Sequence, residues 1–183
     1  MLFRSREGDL LALSGEVYGN AGHPAPVQQA RVRRARVWRR QPGFALAEAR
    51  HGGYLVGYAS GMPLRPSTSW WRDLTTPLPP EVTAEHPGRT FALTELLVRA
   101  SWRRQGIGRE LHGLLLAGRP EERATLTVPP GASAAQAAFR SWGWRKIARA
   151  HGDARGHSDD TASAVFDVLV ITLPWLPPPD KDW

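Results

Sequence analysis

One segment limits the fold more than any other: Glu95-Leu-Leu-Val-Arg-Ala-Ser-Trp-Arg-Arg-Gln-Gly-Ile-Gly-Arg109. An apolar strand pattern runs into a basic turn, and a glycine pair then opens a helix. Gly106 and Gly108 carry no side chain, so the chain can turn tightly and an anion can approach its N–H groups. The free N–H groups of the first helical turn and the positive end of the helix dipole favour phosphate there. Arg103, Arg104 and Arg109 add charge-assisted donors at the rim, and a diphosphate is the natural guest. The segment lacks the Gly-Lys-Ser/Thr ending of a P-loop and the third glycine of a dinucleotide fingerprint. Taken alone, it also fits an ordinary strand-to-helix turn that happens to be basic.

The flanking pattern predicts alternating helices and strands. Asp9–Tyr18 reads as a helix with Leu10, Leu11, Leu13 and Val17 on one side, stopped by Gly19-Asn20. Phe44–Ala49 and Tyr54–Ser60, joined by Arg50-His-Gly-Gly53, read as an antiparallel hairpin. Residues 61–90 hold six of the 16 prolines and the pair Trp70-Trp71 without a sustained period. They form a long Pro/Trp-rich loop of the kind that often carries function. Strands are expected at Thr90–Arg99, Ala124–Val128, Lys146–Ala150 and Val165–Leu173. Helices are expected at Gly106–Ala117, with a stripe of Ile107, Leu111, Leu114 and Leu115, and at Ser133–Trp142, with Ala135, Ala138, Phe139 and Trp142. The tail from about residue 174 reads as irregular. The class is α/β (α+β) with a mixed sheet.

Composition narrows the chemistry. With 183 residues, 42% of them hydrophobic, the chain suits a single domain spanning 1–183. It has no cysteine, which removes disulfides, thiolate metal sites and an acyl-cysteine intermediate. No apolar run approaches the roughly 20 residues of a membrane helix, and a soluble cytoplasmic protein without a membrane partner is the expectation. The net charge of +7 is carried almost wholly by arginine, Lys146 and Lys181 being the only lysines. Six arginines crowd into residues 31–40, which invites a nucleic-acid reading. Val32, Ala35 and Trp38 recur there at helical spacing, however, so the arginines read better as a solvated helix face and nucleic acid is disfavoured. His51, His86 and His112 make no ligand spacing with carboxylates, so no metal is expected.

The whole central segment resembles the coenzyme A motif of the GNAT acetyltransferase superfamily, Arg/Gln-x-x-Gly-x-Gly/Ala, as Arg103-Arg-Gln-Gly-Ile-Gly108 after the strand Leu96-Leu-Val98. Ala134–Trp144 resembles the family's second signature, an Ala-rich helix ending in aromatic-x-x-x-Gly-aromatic. The resemblance covers about residues 90–145. It implies a mostly antiparallel central sheet with splayed fourth and fifth strands, flanked by helices. It also implies acetyl-CoA as co-substrate, with Leu96, Leu97 and Val98 pairing with the pantetheine arm. Arg103, Arg104, Gln105, Gly106, Ile107, Gly108 and Arg109 would cradle the pyrophosphate, and Phe139 would face the donor. The acetyl group would pass to a primary amine, small molecule or peptide, by direct attack in a ternary complex.

Glu95 is the candidate base, the only acid between Glu85 and Glu110, on the strand that should line the slot; it could equally pair with an arginine. A backbone N–H near Val98 would meet the oxyanion. Trp70 and Trp71 are candidate acceptor-site walls, or plugs that fasten the loop to the sheet. Three departures from the family pattern matter. Phe139 stands where a tyrosine usually offers a proton to the departing thiolate. Thr127 and Ala132 stand where the ribosomal-protein subgroup carries glutamate and asparagine, which argues against that subgroup. The first strand of the fold is represented only by Leu2–Arg4. Other acyl donors such as succinyl- or propionyl-CoA, a CoA-binding regulatory module without efficient turnover, and a homodimer stay open.

Overall fold

The computed structural model describes residues 2–19, 37–152 and 165–176, with the backbone alone for 2–6. Helix α1 spans Leu2–Gly19, and the hairpin β1 (Ala45–His51) and β2 (Tyr54–Pro63) follows. A short helix α2 (Pro80–Thr83) precedes β3 (Thr90–Val98), a 3-10 turn (Ala100–Trp102) and helix α3 (Ile107–Leu116). The chain continues through β4 (Arg123–Val128), α4 (Ser133–Ser141), β5 (Arg145–His151) and β6 (Val165–Thr172). The six strands form one sheet in the order β1-β2-β3-β4-β6-β5. The β1–β2, β4–β6 and β5–β6 ladders are antiparallel; the β3–β4 ladder is parallel and covers just Thr90–Ala92 with Arg123–Thr125, while β3 runs on to Val98.

Two expectations are corrected. Leu2–Arg4 does not form a strand; these residues open α1. The run has no β-branched residue and no turn signal before Gly8, which a helix tolerates at a cost of about 1 kcal/mol. In α3, Leu114 is 66% exposed and lies off the stripe, and His112 takes the buried place beside Leu111, Leu115 and Leu116. Most of the arginine-rich stretch, 31–36, lies outside the described residues, as do 153–164 and the tail from 177.

The chain divides into two compact units. One comprises the residues up to Met62 with Leu93–Leu115, the other Pro63–Ala92 with everything from Leu116 onward. In the first, Leu10 and Leu13 of α1 pack with Leu55, Tyr58 and Leu97. Their spacing places them on one face of the helix. Gly57 sets how closely this unit can pack: a Cβ there would lie 2.9 Å from the Leu97 carbonyl oxygen and 3.1 Å from Leu111 Cδ1. Backbone cannot yield as a side-chain tip can, so β2, β3 and α3 meet only over a glycine.

The register along β3 carries an extra residue. Leu64 N–H donates to Thr90 O at one end and Arg99 N–H to Val56 O at the other. Nine steps along β3 therefore face eight along β2. The Ser60 and Thr94 hydroxyls still meet at 3.1 Å in the first register, which puts the extra residue between Thr94 and Arg99, the stretch that holds Glu95. A bulge re-aims the side chains beside it.

In the second unit, Leu64, Trp70, Trp71, Ala92, Ala150 and Val168 make the core. The Pro/Trp-rich excursion is ordered by polar bonds as well. Arg123 donates to Thr90 Oγ1 at 2.8 Å, Val82 O at 2.7 Å and Glu85 Oε1 at 3.0 Å. Leu74 bridges to Ala150, and Thr75 N–H and His151 N–H close the same seam onto Arg149 O and Asp73 O.

Candidate active site

The turn after β3 is anchored where it leaves the sheet. Arg99 is 7% exposed, and its Nε donates to Leu55 O at 2.8 Å. Its guanidinium pairs with Glu16 of α1 and lies 4.4 Å over the Tyr54 ring. A buried arginine with its donors engaged fixes backbone on both sides of it. Arg103 then folds back, its Nε donating to Val98 O at 3.0 Å, and Gln105 Nε2 donates to Ser101 O at 3.3 Å. The Val98 carbonyl thus accepts one bond from within the turn.

Arg104 has φ +64° and Gly106 φ +82°. Left-handed residues within a turn aim successive N–H groups to one side, making a concavity that receives anions. A non-glycine residue held there is a mark of a constrained site, at about 1–2 kcal/mol. The first helical bonds run from Arg109 and Glu110 N–H to Gly106 O, so the N–H groups of Ile107 and Gly108 precede the hydrogen-bonded turns of α3. Arg103, Arg104, Gln105 and Gly106 are exposed, and Ile107 to Arg109 half-buried. The left-handed pair, the open helix end and the arginines fit a diphosphate.

On β3, Leu97 faces the core at 8% exposure, and Leu96 and Val98 are half-buried. Glu95 is half-buried, and the hydroxyl of Tyr58 on β2 donates to its Oε2 at 2.5 Å. Burial first, then the Glu95 charge and this hydrogen bond, pushes the Tyr58 phenol well above its usual range, while a bond with the Ser14 side chain opposes the shift. The phenol therefore stays neutral and stays a donor. Glu95, the donor-loop residues and Tyr58 all belong to the first unit.

The other expected residues lie in the second. Trp70 and Trp71 are 6% and 8% exposed; their indole N–H groups donate to Thr125 Oγ1 at 3.3 Å and Glu85 Oε1 at 2.8 Å. Their rings are spent on the core, which is the plug arrangement and leaves little face for an acceptor. Phe139 is 7% exposed and packs edge-on against Trp142 and Trp144. A cavity of about 730 Å³ between α4 and the β5–β6 pair is lined in part by Gln136, Ala137, Arg140 and Trp144 of the second signature and takes in none of the residues expected to bind donor or acceptor or to act as base. Among the described residues no group of three or more His, Asp or Glu could hold a metal ion, and no helix is long and apolar enough to cross a membrane.

Sequence reasoning missed Tyr58 and Arg99. Arg99 read as the end of a strand. Tyr58 sits in an apolar strand, where a buried phenol needs a partner, but which residue faces it depends on the bulge.

A family model described as the acetyltransferase (GNAT) family matches residues 12–144. No curated protein matches the chain in sequence. Among solved structures, a ribosomal-protein-alanine N-acetyltransferase from Brucella melitensis is 20% identical with a TM-score of 0.58, over 91% of this chain and 96% of that one. An aminoglycoside 6'-acetyltransferase type Ii is 14% identical with a TM-score of 0.61, over 94% and 92%. The PaiA N-acetyltransferase from Thermoplasma acidophilum, in complex with coenzyme A, is 11% identical with a TM-score of 0.57, over 92% and 93%. At these identities the structures are similar in fold.

Proposed function

The chain belongs to the GNAT acetyltransferase family, and from that premise we propose that it moves an acetyl group from acetyl-CoA to a primary amine by direct attack, with Glu95 as base. The observation that carries the donor half is the turn with Arg104 and Gly106 left-handed ahead of α3, a backbone shape suited to a diphosphate. Arg103, Arg104 and Arg109 would hold its charge, and the edge of β3 from Leu96 to Val98 would take the pantetheine arm as an added strand. Acetyl-CoA supplies the acyl group as a thioester.

Glu95 would accept the proton of the attacking amine as the new C–N bond forms. A backbone N–H near Val98 would meet the oxyanion that develops. The C–S bond then breaks with its electron pair left on sulfur, and because Phe139 has no hydroxyl the thiolate takes its proton from water. A free thiol's pKa of about 8.5 makes that tolerable. Direct transfer is supported by the absence of any cysteine to carry the acyl group. Neighbours of the same fold are named for aminoglycoside and for ribosomal-protein acceptors, and the acceptor here is proposed only as a primary amine, met in the cytoplasm where acetyl-CoA is supplied.

Release of the CoA thiol from acetyl-CoA, followed with a panel of diamines, aminoglycosides, amino acids and lysine peptides, tests this reading. Amine-dependent release with at least one acceptor is expected. Tight CoA binding with no release on any acceptor would instead favour a CoA-binding regulatory module, the reading that Phe139 in place of tyrosine motivates.

A further inference from the structure

Tyr58 has no place in the reaction as drawn so far. It is 4% exposed on β2, in a core cluster with Leu10, Leu13, Leu55 and Leu97. A buried phenol must find an acceptor or forfeit its hydration, and a backbone carbonyl would serve. Here the acceptor is a carboxylate on the strand that carries the proposed chemistry, at 2.5 Å. That is the short end of O–H···O⁻ bonds, the range of charge-assisted contacts. The bond also lies in the stretch of β3, between Thr94 and Arg99, that carries the extra residue.

We propose that Tyr58 is a positioning residue, whose buried hydroxyl holds Oε2 of Glu95 so that the carboxylate stays ionised and aimed as the base. This rests on the reading of Glu95 as base. A hydrogen bond donated to the charged form favours that form, so the bond keeps Glu95 deprotonated at pH values where an amine must be relieved of its proton. Tyr58 keeps its own proton throughout. The proton taken from the amine goes to the carboxylate and then to solvent, and no other reactant is needed.

The other elements of the first unit carry titratable and polar groups of their own. Ser14 and Tyr18 of α1 bear on the phenol. Glu48 of β1 lies opposite Tyr58 in register, with its charge shared with Arg50 Nε at 3.1 Å. His112 of α3 is fully buried, and burial holds its imidazole at about 4, neutral across the working range. At Oε2 the phenol of Tyr58 is a donor through which the basicity of the carboxylate is adjusted.

The test is the acid limb of kcat at saturating acetyl-CoA and acceptor, for the full chain and for Tyr58→Phe and Glu95→Gln. Tyr58→Phe keeps the ring and removes the donor. The limb is expected to move up by about one pH unit, so that kcat falls about tenfold below it and returns to within about twofold of the parent above it. The KM for acetyl-CoA should be unchanged. A limb that stays in place, with only the melting temperature altered, would overturn the proposal. If Tyr58→Phe does not fold, 3,5-difluorotyrosine placed at position 58 supplies a stronger donor of nearly the same shape; the limb should then move down, and an unmoved limb is again a refutation. The two failures are separable: a limb that survives in Glu95→Gln removes the base itself. A limb lost in Glu95→Gln but unmoved by either change at position 58 removes only the role of Tyr58.

Discussion

Glu95 in the first unit and Glu85 and Asp167 in the second are carboxylates drawn out of water in quite different company. Glu85, its side chain 1% exposed, accepts from Trp71, Thr90 and Arg123. Asp167 takes Lys146 Nζ at 2.5 Å, Arg149 Nε at 3.1 Å and Gln136 Nε2 at 3.0 Å. Burial alone would raise the Asp167 carboxyl, but Lys146, Arg149 and Gln136 outweigh it and hold the group below its ordinary value. Carboxylates tied to cations are poor bases and good fasteners. Glu95 accepts at Oε2 from the neutral phenol of Tyr58, a donor that orients a carboxylate without cancelling its charge. On the reading proposed for Glu95, the same residue class would serve proton transfer in one unit while it fastens the other.

Exchanging the roles experimentally should break the contrast if it is false. Glu95→Gln should lower kcat at neutral pH by about 10²-fold or more with little change in melting temperature. Glu85→Gln should do the reverse, lowering stability while kcat per folded molecule stays within about threefold. Thiol-release kinetics beside thermal melts read both, and equal catalytic damage from the two would erase the distinction.

Arg123→Leu should follow, costing about 3 kcal/mol because it leaves the Glu85 charge buried without its cation. Urea denaturation measures the loss, and increased proteolysis across 61–90 would locate it in the excursion.

The acid response of stability separates two windows. His112 is lowered to about 4 by burial, so its contribution is fully present above the unfolded value of about 6.5 and lost as pH falls toward 4. The expected loss is about 3 kcal/mol, and His112→Leu should flatten it. Asp167, depressed when folded, contributes above the ordinary carboxylate value and loses that contribution only as pH falls below it. Urea midpoints from pH 8 to pH 3 should show the two declines in that order. Smallest is Arg104→Gly, which relieves the left-handed strain and should add up to about 1 kcal/mol. It also removes one charge at the rim, so affinity for CoA should fall by about threefold by calorimetry.

Much of this was readable in the chain. The hairpin at 45–63 announced itself by Gly52-Gly53, and β3, the basic turn and α3 by the change from alternating to helical period around Gly106. What could not be read depends on contacts between distant residues. No local pattern says that Arg99 will reach Leu55 and Glu16, or that Tyr58 will meet Glu95 across a bulge. Trp70 and Trp71 carried two readings because an aromatic pair in a loop is equally suited to a wall and to a core; burial against Ala92, Ala150 and Val168 is tertiary information. Leu114 was misplaced because a periodic stripe admits either Leu114 or His112, and an imidazole in the core is the less expected choice.

The most direct test of the central claim is the ratio of parent to Glu95→Gln turnover as a function of pH. If Glu95 removes the amine proton, the ratio should exceed about 100 at pH 7 and shrink below about 10 near pH 10, where the amine is already neutral. A ratio that stays constant across that range, or turnover by Glu95→Gln equal to the parent at pH 7, would contradict the account.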